Sequence, residues 1–237
     1  MKYIILIVII ISNLIFAQNK SFDYLTELEN GYSKDSVNVS ANFVNNWSEE
    51  SKPILESSIS GINKVIYTVF EHFYSSDLFR KGLDEQRSPT HSNIQLIQDK
   101  ITFTVVDSIP QIENTIDFNK FYDMTDGLMQ HTIYNFRPNI HLKNKITLYF
   151  NKFYRDLFKE FLFKRDKNRR HYIYYNFPIE VNDDDILSIP YFFNIYINKS
   201  CNSVLIDFCF IGEGKIALLK RVKDVWHISK IELVHTQ

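Results

Sequence analysis

The chain has 237 residues, 27 basic against 28 acidic, a formal net charge of −1, and 20 phenylalanines and 14 tyrosines beside only six glycines and six prolines. That length suffices for a substantial buried core, and so balanced a charge gives no global attraction to nucleic acid or to an anionic membrane. Asn, Ile, Lys, Phe and Tyr are abundant where Ala, Gly and Pro are scarce, a joint bias of AT-rich coding, so the aromatics alone are no ligand-stacking signature.

Residues 1–17 have the form of a signal peptide. Lys2 precedes an unbroken apolar run from Tyr3 to Ile11, and Ser12 and Asn13 interrupt it before the exit Phe16-Ala17-Gln18. The run is too short for the roughly 20 apolar residues of a spanning helix, and Ala17 offers the small residue that cleavage requires. Removal leaves 220 of the 237 residues, 26 basic against 28 acidic, starting at Gln18. The expected location is secreted or periplasmic, with no membrane span after cleavage.

Residues 18–51 are rich in Asn, Ser and Glu, and are expected to form a loosely packed lead-in with a weak strand at Val37, Val39, Ala41 and Phe43. A single α+β domain is expected over 52–237. Ser51, as a cap before Lys52-Pro53, opens an expected helix whose face is Leu55, Ile59, Ile62, Val65, Ile66, Val69, Phe70 and Phe73, with Gly61 bending or dividing it. Ile94–Asp107 has strand composition, and Gln98-Asp99-Lys100 suggests a tight hairpin turn. Residues 108–144 carry no clear periodicity. Ile146, Tyr149, Phe150, Phe153, Leu157, Phe158, Phe161 and Leu162 predict a second long amphipathic helix.

The C-terminal third predicts strands at Tyr172–Phe177, Tyr191–Ile197, Val204–Ile211, Lys215–Val222 and Val225–Val234. The connections among the last four are short, so they should form an antiparallel meander. In the last strand the apolar residues change phase between Ile228 and Ile231, which predicts a bulge at Ser229 or Lys230 with Trp226 and Ile228 buried. Cys201 lies in the turn before the third of these strands and Cys209 inside it. Eight extended residues span about 26 Å, too far for a bridge between them.

The architecture expected from these elements is α+β, with two long amphipathic helices packed on a curved antiparallel sheet. The order helix, hairpin, helix, meander resembles the NTF2-like cone fold, and Ala217 through Ile228, with Trp226 two residues before an apolar one, is similar to the closing hairpin of such domains. Tyr134-Asn135-Phe136-Arg137-Pro138 with its downstream helix, and the Phe16-Ala17-Gln18 exit, resemble a set of exported Bacteroidota proteins of unassigned function. The first resemblance implies a cupped pocket and no particular chemistry.

No nucleophile elbow, phosphate loop, dinucleotide fingerprint or metal-ligand spacing occurs, so no catalytic residue, cofactor or metal is assigned. Asp183-Asp184-Asp185 lacks the alternation of a calcium loop and is expected to be a solvated turn or a helix cap. The basic run from Lys164 to Arg170 is expected to complement a helix C-terminus and lead into a strand. The candidate site with the best placed groups is His131 and His141 with Asp123 and Asp126. The leading expectation is an exported binding domain for a small apolar ligand, a peptide or an envelope protein. The alternatives are a hydrolase-type enzyme using that His/Asp set and a structural or dimerisation module.

Overall fold

The computed structural model describes residues 24–33, 39–77, 79, 93–109, 121, 123, 125–142, 144–163, 166–181, 185–210 and 212–233. The expected signal segment 1–17, Val37 of the expected weak strand, residues 110–120, 122, 124 and 143 of the expected irregular stretch 108–144, Lys164 and Arg165 of the basic run, and Asp183 and Asp184 lie outside these residues.

The expected loose lead-in is instead two packed helices, α1 (24–33) and α2 (Ala41–Glu50). The Ser40 hydroxyl accepts the Phe43 N–H at 3.4 Å, so the chain turns helical where a weak strand was expected. Phe43 and Trp47, four residues apart on one helix face, are buried together with Tyr24 and Leu28 of α1. Ser51 ends α2 rather than opening the next helix, because its N–H donates to the Trp47 and Ser48 carbonyls. The chain then runs through a short 3₁₀ turn (Glu56–Ser58) to α3 (Gly61–Ser75). Gly61 has φ of 60°, a left-handed entry that glycine adopts freely, and this breaks the expected helix into an irregular arm and a shorter helix.

The expected hairpin about Asp99 is also absent. β1 (Ile94–Gln98) and β2 (Lys100–Val106) are separated by one residue and pair with different partners. β1 pairs in parallel with β4 (Ile146–Phe150), whereas β2 pairs antiparallel with β3 (Gln130–Tyr134) and parallel with β7 (Tyr191–Asn198). Every side chain of β1 is buried, the mark of a strand covered on both faces. Its two glutamines are satisfied there: Gln95 donates to the Ile189 carbonyl at 2.9 Å, and Gln98 accepts the Phe192 N–H at 2.9 Å.

The expected helix from Ile146 to Leu162 divides into β4 and α4 (Lys152–Leu162). Asn151 caps α4 by accepting the Tyr154 N–H at 3.1 Å, so Ile146–Phe150 is left extended. The expected strand Tyr172–Phe177 belongs to a helix, α5 (Lys167–Asn176), which Asp166 caps through the Asn168 N–H. The aromatic run Tyr172-Ile173-Tyr174-Tyr175 has strand propensity, and the cap together with packing against Phe161 overrides it.

A short antiparallel pair, β5 (Ile179–Val181) with β6 (Ile186–Ser188), leads into the meander β7, β8 (Ser203–Phe210), β9 (Glu213–Val222) and β10 (Val225–Leu233). These four strands are antiparallel, as expected, within a six-stranded sheet ordered β10-β9-β8-β7-β2-β3. The register between β9 and β10 shifts between Ile228 and Lys230, which places the bulge at Ser229. Trp226 is buried, and Ile228 and Ile231 are half-buried against the same core, while Leu233 is exposed.

The fold is α+β with a mostly antiparallel main sheet, but its two longest helices do not share that sheet. α3 packs with β2, β3 and the meander around Phe70, Phe73, Phe136 and Phe208. α4 belongs to a second core with α1, α2, α5, β1 and β4, built on Trp47, Phe150, Tyr154, Phe158 and Phe177. A smaller cluster of Val106, Phe121, Tyr196, Leu205, Ile216 and Leu218 includes side chains from β2, β7, β8 and β9. Cys201 and Cys209 are unbridged.

Candidate functional site

The four side chains expected to form a site are all exposed, and no hydrogen bond or ion pair joins any two of them among the described residues. His131 lies on β3 opposite Phe103 of β2, and the two rings stack with centroids 5.3 Å apart. His141 follows the buried Ile140 and lies close enough to Glu71 of α3 to favour that carboxylate. Asp123 and Asp126 precede β3. Among the described residues, no group of three His, Cys, Asp or Glu side chains could hold a metal ion.

Strand β3 itself is the best-formed feature of this region. It ends the six-stranded sheet, and among the described residues nothing pairs with its outer side. Its five residues, Gln130-His131-Thr132-Ile133-Tyr134, carry no acid, lysine or arginine and pair with β2 in unbroken register from Thr104 to Lys100. Only Ile133 is buried. Leu128, Met129 and Tyr134, at and beside its ends, are 43%, 69% and 69% exposed. An edge strand that is regular, uncharged and exposed offers a row of main-chain donors and acceptors to another chain.

The other edge of the same sheet is built differently. β10 is interrupted at Ser229, whose hydroxyl donates to the Leu218 carbonyl at 3.0 Å, and Lys230 pairs with Glu232 along the strand. Bulges and lysines are the usual devices that make an edge a poor template.

A rigid strap holds β3 in place. Asn135 turns the chain at φ 52°, and the Phe136 N–H donates to the Asp99 carbonyl at 2.7 Å, at the bend between β1 and β2. Phe136 is fully buried against Tyr67 and Phe70. The Arg137 guanidinium donates to the Glu50 carbonyl at 2.9 Å, and the Arg137 carbonyl accepts the Ile54 N–H at 3.1 Å. Tyr149 donates its hydroxyl to the Pro138 carbonyl, and Glu71 accepts the Asn139 N–H at 2.9 Å. Residues 135–139 thus tie α2, α3, β1 and β4 to the end of β3, which suits a docking element on a fixed scaffold. Burial pushes the carboxyls of Asp99 and Glu71 above their ordinary values. Arg155 and Arg137 oppose the shift at Asp99; at Glu71 it is opposed by the Asn139 N–H, His72 and His141, while Glu56 adds to it.

Of the two charge runs, the described part of the basic one departs from expectation: Lys167–Arg170 do not lead into a strand but form the first turn of α5. Asp185 sits beside Lys159, at 3.0 Å, and Arg155, and accepts the Ile186 N–H. Burial acts to raise its carboxyl, but these partners hold it below the ordinary aspartate value. Arg169, from the basic run, is buried and pairs with Glu29. Neither the edge strand nor this ion pair has a local sequence signature, because both depend on which distant segment lies alongside.

No helix among the described residues is long and apolar enough to cross a membrane. No protein-family model, curated protein or solved structure matches the chain.

Proposed function

We propose that the protein is an exported binding domain that takes an extended segment of a peptide or of another envelope protein along the open edge of β3. The N-terminal apolar run supports export. The observation that carries the binding reading is the contrast between the two edges of one sheet, β10 broken and charged, β3 regular, neutral and flanked by exposed Leu128 and Met129. Strand addition takes its affinity from main-chain hydrogen bonds, and pockets for alternate side chains add selectivity. The hydrolase alternative has weaker support, since the His131 ring is stacked on Phe103 and bonded to no acid among the described residues.

Amide hydrogen exchange tests this with a soluble peptide of alternating valine and threonine. Strand addition should slow alternate amides within 130–134. The same peptide N-methylated at its alternate amides, which cannot complete the ladder, should give no protection. Binding of the unmodified peptide that leaves 130–134 unprotected would overturn the reading.

A further inference from the structure

Resting on the edge reading just proposed, we infer that the first occupant of β3 is a second copy of this chain, in a closed two-fold dimer with the β3 strands antiparallel. An isologous contact requires a strand that tolerates its own reversed image. About a two-fold at Thr132, Thr132 faces Thr132, His131 faces Ile133, and Gln130 faces Tyr134, so no like charges are opposed. Like charges directly opposite each other destabilise a strand pair, and β3 carries none from an acid, lysine or arginine. The nearest described cation, Lys100 on β2, is held over the Tyr134 ring at 5.9 Å.

The rest of the sheet determines the geometry of association. If both edges were open, copies would add at each end and build a fibre. Here β10 carries the Ser229 bulge and the Lys230–Glu232 pair, so only one edge is available and pairing closes at two copies. The result is one continuous sheet made from two six-stranded sheets. Five residues a side is well short of the about 800 Å² per partner of a standard interface, so the dimer is weak and readily exchanges for another strand. Self-pairing thereby shields an edge that would otherwise aggregate, while leaving it accessible to a better partner.

Sedimentation velocity over a wide concentration range, on the purified protein and two variants, tests the inference. Thr132 is exposed, so Thr132→Lys and Thr132→Glu should keep the wild-type circular dichroism spectrum. The wild type should dimerise with concentration. Each variant alone places two like charges at the two-fold and should dissociate about tenfold more readily, a change of about 1.4 kcal/mol. An equal mixture of the two variants should recover the dimer. A wild type that stays monomeric, or a dimer indifferent to both substitutions, would overturn the inference. Peptide protection of β3 on such a monomer would leave the partner-binding reading standing. A charge-switchable dimer with no peptide protection would support self-pairing and remove that reading.

Discussion

Glu29 on α1 takes both terminal nitrogens of Arg169 on α5, with Nη1 at 2.7 Å from Oε1, across 140 residues of sequence. The guanidinium also donates to the Phe161 carbonyl and lies over the rings of Tyr32 and Phe161. Both pKa direction and geometry agree: the hydrogen bond to Glu29 raises the Arg169 pKa against the opposing effect of burial. Arg169 is 8% exposed and Glu29 is 29% exposed, so removing one partner leaves the other poorly solvated. Arg169→Met should cost on the order of 3 kcal/mol in urea unfolding, and Glu29→Leu added to it should cost much less than the sum of the two single changes. Additive losses would show that the pair is uncoupled.

Leu157 lies at the centre of the buried face of α4 and is 3% exposed, in the core it shares with Trp47 and Phe177. Leu157→Ala should destabilise by about 2–5 kcal/mol through lost transfer energy and the cavity left behind. Because Trp47 is fully buried in that cluster, its fluorescence should report the change, and a neutral substitution would contradict the packing.

The burial of Leu157 was legible in the sequence, although its surroundings were not. The spacing of Leu157, Phe158 and Phe161 identified a buried helical face, but the same apolar series continues back to Ile146, and nothing in periodicity separates a helix from a buried parallel strand. Asn151 was the usable signal, as a cap residue in mid-series. The meander was legible because its turns are short and local, whereas β1 with β4 and β2 with β7 join segments far apart in the chain. The open edge was not legible for the same reason. His131 is picked out by residue type, whereas the position of its strand, β3, at the end of a sheet is revealed only by strand order.

Glu71 offers a test of pH dependence. Burial raises its carboxyl above the ordinary value of 4.5, so the folded chain holds this proton more tightly than the unfolded chain. The stability linked to Glu71 is therefore fully present below pH about 4.5 and is lost as pH rises through the folded value. Glu71→Gln keeps an acceptor for the Asn139 N–H and removes the charge. The variant should exceed the wild type in stability at pH 7, with the difference shrinking toward pH 4. Equal stability at pH 7, measured by urea melts at both pH values, would contradict the direction of the shift.

The Ser229 bulge corrects the phase of β10, because Ile228 faces Leu219 and, beyond the bulge, Ile231 faces Ala217. Ser229 itself has no partner on β9, so deleting it would leave Ile228 opposite Leu219 and Ile231 opposite Ala217 in regular register, with the phase kept and the bulge gone. The deletion would also convert β10 into an unbroken edge. The variant should keep its fold and, in sedimentation, form species larger than a dimer. A folded deletion variant as small as the wild type would show that the bulge does not guard this edge.

The tie between α1 and α5 also bears on the order in which the polypeptide is made. α1 and α2 leave the ribosome first, yet the later rings that pack on Tyr24, Phe43 and Trp47 lie between Phe150 and Phe177. Until synthesis passes Arg169, the early helices have no latch and no roof, and their aromatic faces stay open. This half of the molecule cannot mature from the N-terminus forward as the chain emerges, so its assembly is a late, long-range event. On the export reading proposed above, that delay keeps the leading segment uncommitted until the trailing segment exists.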